Sequence, residues 1–214
     1  MKTRDRILDA ARILYNQHGI GNVSIQDICD MVKISKGNFW YHFQNKEYGS
    51  KKVIVLELYQ TMMEEMGALI ETIPRNRASI LYFLETHQQL FLVQSKYKFF
   101  FLNLFDILTN HEEVKKRYQS YRQMGEKLAH ELLKLYIDKG VLTTKLRPRE
   151  VDRLLSIGQI LDSFWAIDAE IFFQGNEKQR LVHYLQVCCG LLVPYLTPAA
   201  QKEYHQFFEN LETV

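Results

Sequence analysis

Three cysteines in 214 residues cannot form a disulfide framework, and two of them, Cys188 and Cys189, are adjacent in the chain. Thiols in that arrangement read as reduced and intracellular. Prolines are equally few. Pro74, Pro148, Pro194 and Pro198 leave long stretches without the residue that ends helices. Ten glycines exclude collagen-like or linker-like character. No run approaches the roughly 18 apolar residues of a membrane span. The most apolar segment, 99–108, is interrupted by Asn103 and Asp106. The N-terminus, Met1-Lys2-Thr3-Arg4-Asp5-Arg6, is charged from its second residue with no apolar stretch after it, which argues against a signal peptide. A soluble, cytoplasmic protein without a membrane partner is expected. What remains is ordinary globular composition, 47% hydrophobic and 24% charged, in a length that suits one large domain or two small ones.

The net charge of +2 says little, but its distribution says more. Residues 1–52 hold nine Lys/Arg against five Asp/Glu, a net +4, so the remainder is mildly acidic. A basic head on an acidic body points to nucleic acid at the N-terminus, although a solvated surface explains the same excess.

Apolar residues recur with helical rather than alternating spacing almost throughout, and no strand, repeat or low-complexity tract is evident. A first helix runs over about 3–18, with Gly19 as its C-terminal stop. A second runs over 25–32, where Ser24 and Asp27 have capping-box spacing. Lys33 and Ile34 make a tight turn, and Ser35 caps a short third helix through Phe43. Asn45 caps a fourth, over 46–73, and further helices are read over 77–94, 97–108, 112–139, 148–173, 176–196 and 197–211.

Two short helices joined by a tight turn, with another ahead of them, describe a helix-turn-helix unit. Phe39 and Phe43, four residues apart, face a small core. At about 100° per residue, Gly37 and Tyr41 then point away, and Asn38 and Trp40 lie on the flanks. Glycine there costs about 1 kcal/mol against alanine, which close approach of a DNA backbone would justify. Lys36 and the free N–H groups of the helix start suit a phosphate. Tyr41 and His42 can reach base edges, and Asn38 a base or a phosphate. Packing of Trp40 and Tyr41 on the fourth helix or on a partner is the alternative.

The run Ser35-Lys36-Gly37-Asn38-Phe39-Trp40-Tyr41-His42-Phe43-Gln44-Asn45-Lys46-Glu47 resembles the recognition-helix signature of the tetracycline-repressor (TetR) family. The first helix and the Val23-Ser24-Ile25-Gln26-Asp27-Ile28 segment are similar too, so the resemblance covers about residues 1–50. Departures are Phe39 for the usual Leu, Trp40 for the usual Tyr, and Tyr48-Gly49-Ser50 in place of a Leu-rich start to the fourth helix. An indole N–H can donate to phosphate as the tyrosine hydroxyl does. The resemblance implies that Lys36, Trp40 and His42 touch backbone or bases, that Gly37, Asn38 and Tyr41 face the groove, and that Ser24 and Lys46 anchor phosphates. It implies an all-α fold, with a helix-turn-helix domain over 1–50 and a six- to seven-helix ligand-binding and dimerisation domain over 51–214. Such proteins bind palindromic operators in double-stranded DNA as homodimers and usually repress. A small molecule in the C-terminal domain shifts the fourth helix and spreads the recognition helices. Gly49-Ser50 is the expected pivot.

In the C-terminal body, the helices over 148–173 and 181–196 are apolar on more than one face, which a four-helix interface between two copies explains. Full burial inside one bundle is the alternative. Inward candidates for an effector cavity are Tyr59, Met62, Met66, His87, Phe91, Phe101, Phe105, Tyr121, Gly125, Asp162 and Trp165. Asp162 stands in a nearly apolar stretch, where a carboxylate must be paired or neutral. It could read a cationic or hydroxylated ligand, or pair with an arginine. His87 could be a ligand contact or a satisfied core histidine. The Phe99-Phe100-Phe101 run favours an apolar or aromatic effector.

A helical-bundle enzyme or carrier with a basic head is the competing reading. None of the seven histidines follows a glutamate by three residues, and His-Glu-x-x-His, Cys-x-x-Cys, Gly-rich phosphate loops and Gly-x-Ser-x-Gly are all missing from the sequence. No cofactor, metal or catalytic residue is therefore expected.

Overall fold

The computed structural model describes residues 2–43, 49–72, 78–143 and 146–213. Among them are eleven α-helices and no strand. They are α1 (Thr3–His18), α2 (Ile25–Val32), α3 (Lys36–His42), α4 (Gly49–Glu71), α5 (Ile80–Lys96), α6 (Lys98–Leu102), α7 (Leu104–Asn110), α8 (Glu112–Asp138), α9 (Pro148–Phe172), α10 (Glu177–Cys189) and α11 (Pro198–Thr213). The all-α class expected from periodicity is the observed one. No helix of the described residues is long and apolar enough to cross a membrane.

Local chemistry sets the helix ends. The Ser24 hydroxyl accepts from the Asp27 amide at 3.2 Å, and the Asp27 carboxylate accepts from the Ser24 amide at 2.7 Å, closing the expected capping box. Lys33 ends α2 in the left-handed region, at φ 59° and ψ 53°. Its amide and that of Ile34 bond back to Asp30 and Cys29 carbonyls. Gly19 and Gly140 end α1 and α8 at φ 77° and 70°, where a Cβ would be strained. Pro148 opens α9.

Two expected helices are broken. The segment 97–108 is not one helix but α6 and α7, because the Asn103 side chain donates to the Phe99 carbonyl at 2.7 Å and competes with the backbone ladder. The segment after α10 winds as a 3₁₀ turn, Gly190–Tyr195, containing Pro194. Proline has no N–H to return to residue 190 and cannot continue an α-helix.

The described chain packs as two compact units, Met1–Glu65 with Lys96–Arg117, and Met66–Ser95 with Tyr118–Val214. The first unit thus holds more than the helix-turn-helix segment. Its core joins Ile7, Ala11 and Tyr15 of α1 to Ile28 and Cys29 of α2, Phe39 of α3, Ile54 and Leu58 of α4, and Phe99 and Phe100 of α6, all 3% exposed or less. Asn16 fixes α1 against the break before α6. Its side chain donates to the Lys96 carbonyl and accepts from the Phe99 amide, each at 2.9 Å. In the second unit, α5, α9 and α10 pack around Leu84, Phe91, Trp165, Ala169, Leu185 and Cys189. Tyr204 and Phe208 bring in α11.

Candidate nucleic-acid interface and buried polar cluster

Helix α3 divides into two faces. Phe39 and Phe43 are fully buried and stacked, with ring centroids 5.3 Å apart. Ser35 accepts from the Asn38 amide at 3.1 Å and starts the helix. On the other face Lys36, Gly37 and Asn38 are exposed. Tyr41 is 74% exposed and Trp40 43%, the latter edge-on to the Phe39 ring. His42 is half-buried beneath the edge of Tyr41. A Cβ built on Gly37 meets only the Ser35 hydroxyl at 3.7 Å, so nothing among the described residues demands glycine there. Ser24 is exposed, and its hydroxyl proton goes to the Asp27 carboxylate at 2.7 Å. The Ser24 hydroxyl and amide hold that carboxylate below the usual range, aided by His18 and Lys51. Lys46 and Asn45, the remaining residues assigned here from the sequence, lie outside the described residues.

Part of the basic excess of this head is engaged by bonds within the chain, which the sequence did not signal. Arg6 donates to the Val32 carbonyl at the end of α2, at 2.8 Å. Arg12 donates to Asp9 at 2.6 Å and to the Lys96 carbonyl at 3.1 Å. Arg4 pairs with Glu57.

The effector candidates fall into two sets. Tyr59, Met62 and Phe101 are buried in the first unit, where Tyr59 stacks on Phe100 at 5.1 Å. Phe105 is 84% exposed, so its inward placement is corrected. The break at Asn103 slips the helical phase and turns Phe105 out while Leu104 and Ile107 go in. Met66, His87, Phe91, Tyr121, Gly125, Asp162 and Trp165 belong to the second unit.

There Phe91 stacks on Trp165 at 4.8 Å. The Trp165 indole donates to Oε1 of the Gln94 side chain, and Nε2 of the same side chain donates to Asp162 at 2.6 Å. Burial pushes the Asp162 carboxyl above its usual value, against the opposing effects of Gln94 and the Arg122 charge. Arg122 itself donates to Gln159 at 2.9 Å. Burial and the Asp162 charge raise the Cys188 thiol to about 12, so it is no thiolate near neutral pH. One turn before Asp162, a Cβ on Gly158 meets nothing within 4 Å, and the same holds at Gly125. Gln94, fully buried, was missed as a site residue. It continues the stripe Ile80, Leu84, His87, Phe91, and a polar residue on that stripe was the available signal. His87 donates from Nδ1 to the Phe83 carbonyl at 2.8 Å and lies over the Phe83 ring. Burial lowers its pKa, which keeps it neutral.

The outer face of α9 is apolar. Ile157, Ile160, Phe164, Ile171 and Phe172 are 44–72% exposed, and Val187 of α10 is 41% exposed.

The family described as "Bacterial regulatory proteins, tetR family" matches residues 7–48, and "TetR: Bacterial transcriptional repressor" matches 58–204. The chain is 26% identical over 104 residues to the biofilm operon icaADBC HTH-type negative transcriptional regulator IcaR of Staphylococcus epidermidis, spanning 49% of this chain and 46% of that protein. The match thus spans about half the length of that relative or less. It is 21% identical over 215 residues to the "Probable HTH-type transcriptional regulator YttP" of Bacillus subtilis, spanning 99% of this chain and 91% of YttP. A TetR-family transcriptional regulator from Marinobacter aquaeolei VT8 shares the fold, with a TM-score of 0.82 at 22% identity over 99% of both chains. These matches, and no missing motif, separate the chain from enzymes. With both family regions matched in order along one helical chain, the protein belongs to the TetR family of bacterial transcriptional regulators.

Proposed function

We propose that the protein is a repressor that binds a palindromic operator as a homodimer and is released when a small molecule enters the second unit. The observation that carries this reading is the division of α3. Two phenylalanines anchor it, while Lys36, Gly37, Asn38, Trp40 and Tyr41 stand exposed on the other side. A seven-residue helix with that surface is built for an external partner, and a basic head suits DNA. Tyr41, Asn38 and His42 read bases. Lys36 and Trp40, with Ser24 and Lys46, hold phosphates. For Ser24, phosphate contact has to compete with the bond to Asp27. The apolar outer face of α9, with Val187 of α10, is the dimer contact. A regulator of operator DNA acts in the cytoplasm.

The effector site centres on Asp162, Gln94 and Trp165, with Phe91 and the open side of Gly158. An aromatic plane beside a poorly solvated carboxylate selects an aromatic or apolar compound carrying a cationic or hydroxyl donor. Met66, His87 and Tyr121, in the same unit, remain effector candidates. Tyr59, Met62 and Phe101 have no part in that centre, and their effector role rests on the sequence alone. The division into a DNA-binding domain over 1–50 and an effector and dimerisation domain over 51–214 is part of the same reading.

The test is selection of random DNA duplexes by the purified protein at near-physiological salt. A two-fold consensus with half-sites about one helical turn apart, or a multiple of that, supports the reading. Salt-labile binding with no consensus refutes sequence-specific recognition by α3.

A further inference from the structure

We propose that Arg4 is a positioning residue that ties the end of the recognition helix to α4 through Glu57. The inference rests on the reading of α3 as the DNA-reading helix. Arg4 Nη1 donates to the carbonyl oxygen of His42, the last residue of α3, at 2.5 Å. Its Nε donates to Glu57 Oε2 at 3.1 Å, and Nη2 pairs with Glu57 Oε1. The guanidinium carbon lies 4.7 Å from the centre of the Phe43 ring. One planar group on α1 therefore caps α3, covers the core residue that follows it, and grips α4 in bidentate fashion.

This arrangement matters because α3 has seven residues. A helix of two turns gains little rigidity from its own hydrogen bonds, and its last carbonyls have no partner within it. Its direction is set from outside. At its start Ser35 does so, and at its end Arg4. Glu57 lies two turns into α4, so a displacement of α4 reaches the end of α3 through one side chain.

Stability is not the reason for the pair. Both side chains are partly exposed, at 44% and 26%, and such pairs contribute about 0–1 kcal/mol. Direct contact of Arg4 with phosphate is the competing role, and the sign of one substitution separates the two. Glu57→Gln removes a negative charge near the basic face, so electrostatics alone strengthens DNA binding. Loss of the latch weakens it.

The experiment uses the full-length protein, the duplex recovered from the selection, and the variants Glu57→Gln, Arg4→Gln and their double. Each single variant is expected to lose roughly tenfold in affinity, with the double no worse than either, as two halves of one latch require. The slope of log affinity against log salt stays that of the wild type in Glu57→Gln. Amide exchange at Phe43, which donates to the Phe39 carbonyl, accelerates in the free protein of each variant while exchange in α2 does not. Equal or tighter binding by Glu57→Gln, additive losses, or unchanged Phe43 exchange overturns the proposal. A salt slope reduced by about one per protomer in Arg4→Gln alone assigns Arg4 to phosphate and also overturns it. If the wild type selects no duplex, the DNA reading fails by itself, and exchange at Phe43 still decides whether Arg4 and Glu57 fix α3. Should Arg4→Gln fail to fold, Arg4→Lys serves, because an ammonium keeps the charge but cannot hold three groups in one plane.

Discussion

Asp162 on α9 accepts a 2.6 Å hydrogen bond from Gln94 on α5, and it forms no ion pair among the described residues. Its carboxyl pKa is raised by burial, so ionising it costs the folded state more than the unfolded one. The folded state therefore binds the proton more tightly. Below the ordinary aspartate value of about 3.9 the residue carries no penalty, and the penalty grows as pH rises toward the elevated folded value. Asp162→Asn keeps an acceptor for Gln94 and removes the charge. We expect it to raise stability by about 1 kcal/mol at neutral pH, with the gain fading on acidification, while effector response is lost. Thermal unfolding of both proteins across that pH range checks this. A variant less stable than wild type at neutral pH counts against a costly Asp162 charge.

Tyr41 and Lys36 are both exposed on α3 but are assigned different work. Tyr41→Ala should relax the selected consensus at one position of each half-site, at about 1–3 kcal/mol of discrimination. Lys36→Ala should weaken all duplexes alike and lower the salt slope by about one per protomer. Repeating the selection and salt titration with each variant separates them. A uniform loss with Tyr41→Ala would assign the ring to the backbone instead.

The head was legible in the sequence because its signals are short-range. Ser24 with Asp27, Ser35 before α3, and Phe39 with Phe43 each act within four residues. What was not legible depends on distant partners. Arg4, Arg6 and Arg12 counted equally toward a basic head, yet they donate to carbonyl groups 38, 26 and 84 residues away. Asn103 read as a blemish in an apolar helix, whereas its side chain divides that helix and exposes Phe105. Gln94 lay on an apolar stripe in plain view, but its meaning depends on Asp162 and Trp165, some 70 residues on.

Lys33 holds the turn of the helix-turn-helix unit at φ 59°, a conformation that costs a residue with a Cβ roughly 1–2 kcal/mol. Lys33→Gly removes that strain but adds chain entropy to the unfolded state, so a gain of at most about 1 kcal/mol is expected. Lys33→Val is the sharper test. A β-branched residue tolerates the left-handed region poorly, and a loss of about 1–2 kcal/mol should follow. Chemical denaturation measures both. Equal stability of the valine variant and wild type would mean that the turn readjusts without cost.

Ile157, Ile160, Phe164 and Ile171 recur on α9 at spacings of three, four and seven residues, which places them on one side of the helix. That side is exposed, while Trp165, Ala166 and Ala169 are buried on another. An exposed apolar row of this kind, interrupted by Asp168, marks an interaction surface. In a two-fold dimer every substitution on it acts twice. Ile160→Glu should therefore weaken self-association at least about a hundredfold, and Ile160→Ala about tenfold, as measured by sedimentation equilibrium. Tyr82→Glu, on the exposed side of α5, serves as a control and should leave association unchanged. Helical circular dichroism should persist in Ile160→Glu if the protomer folds alone. Loss of helix together with the dimer would mean that folding and association are one step, as in obligate dimers. A wild type that stays monomeric at every concentration, or an Ile160→Glu variant that dimerises as tightly, removes α9 as the contact.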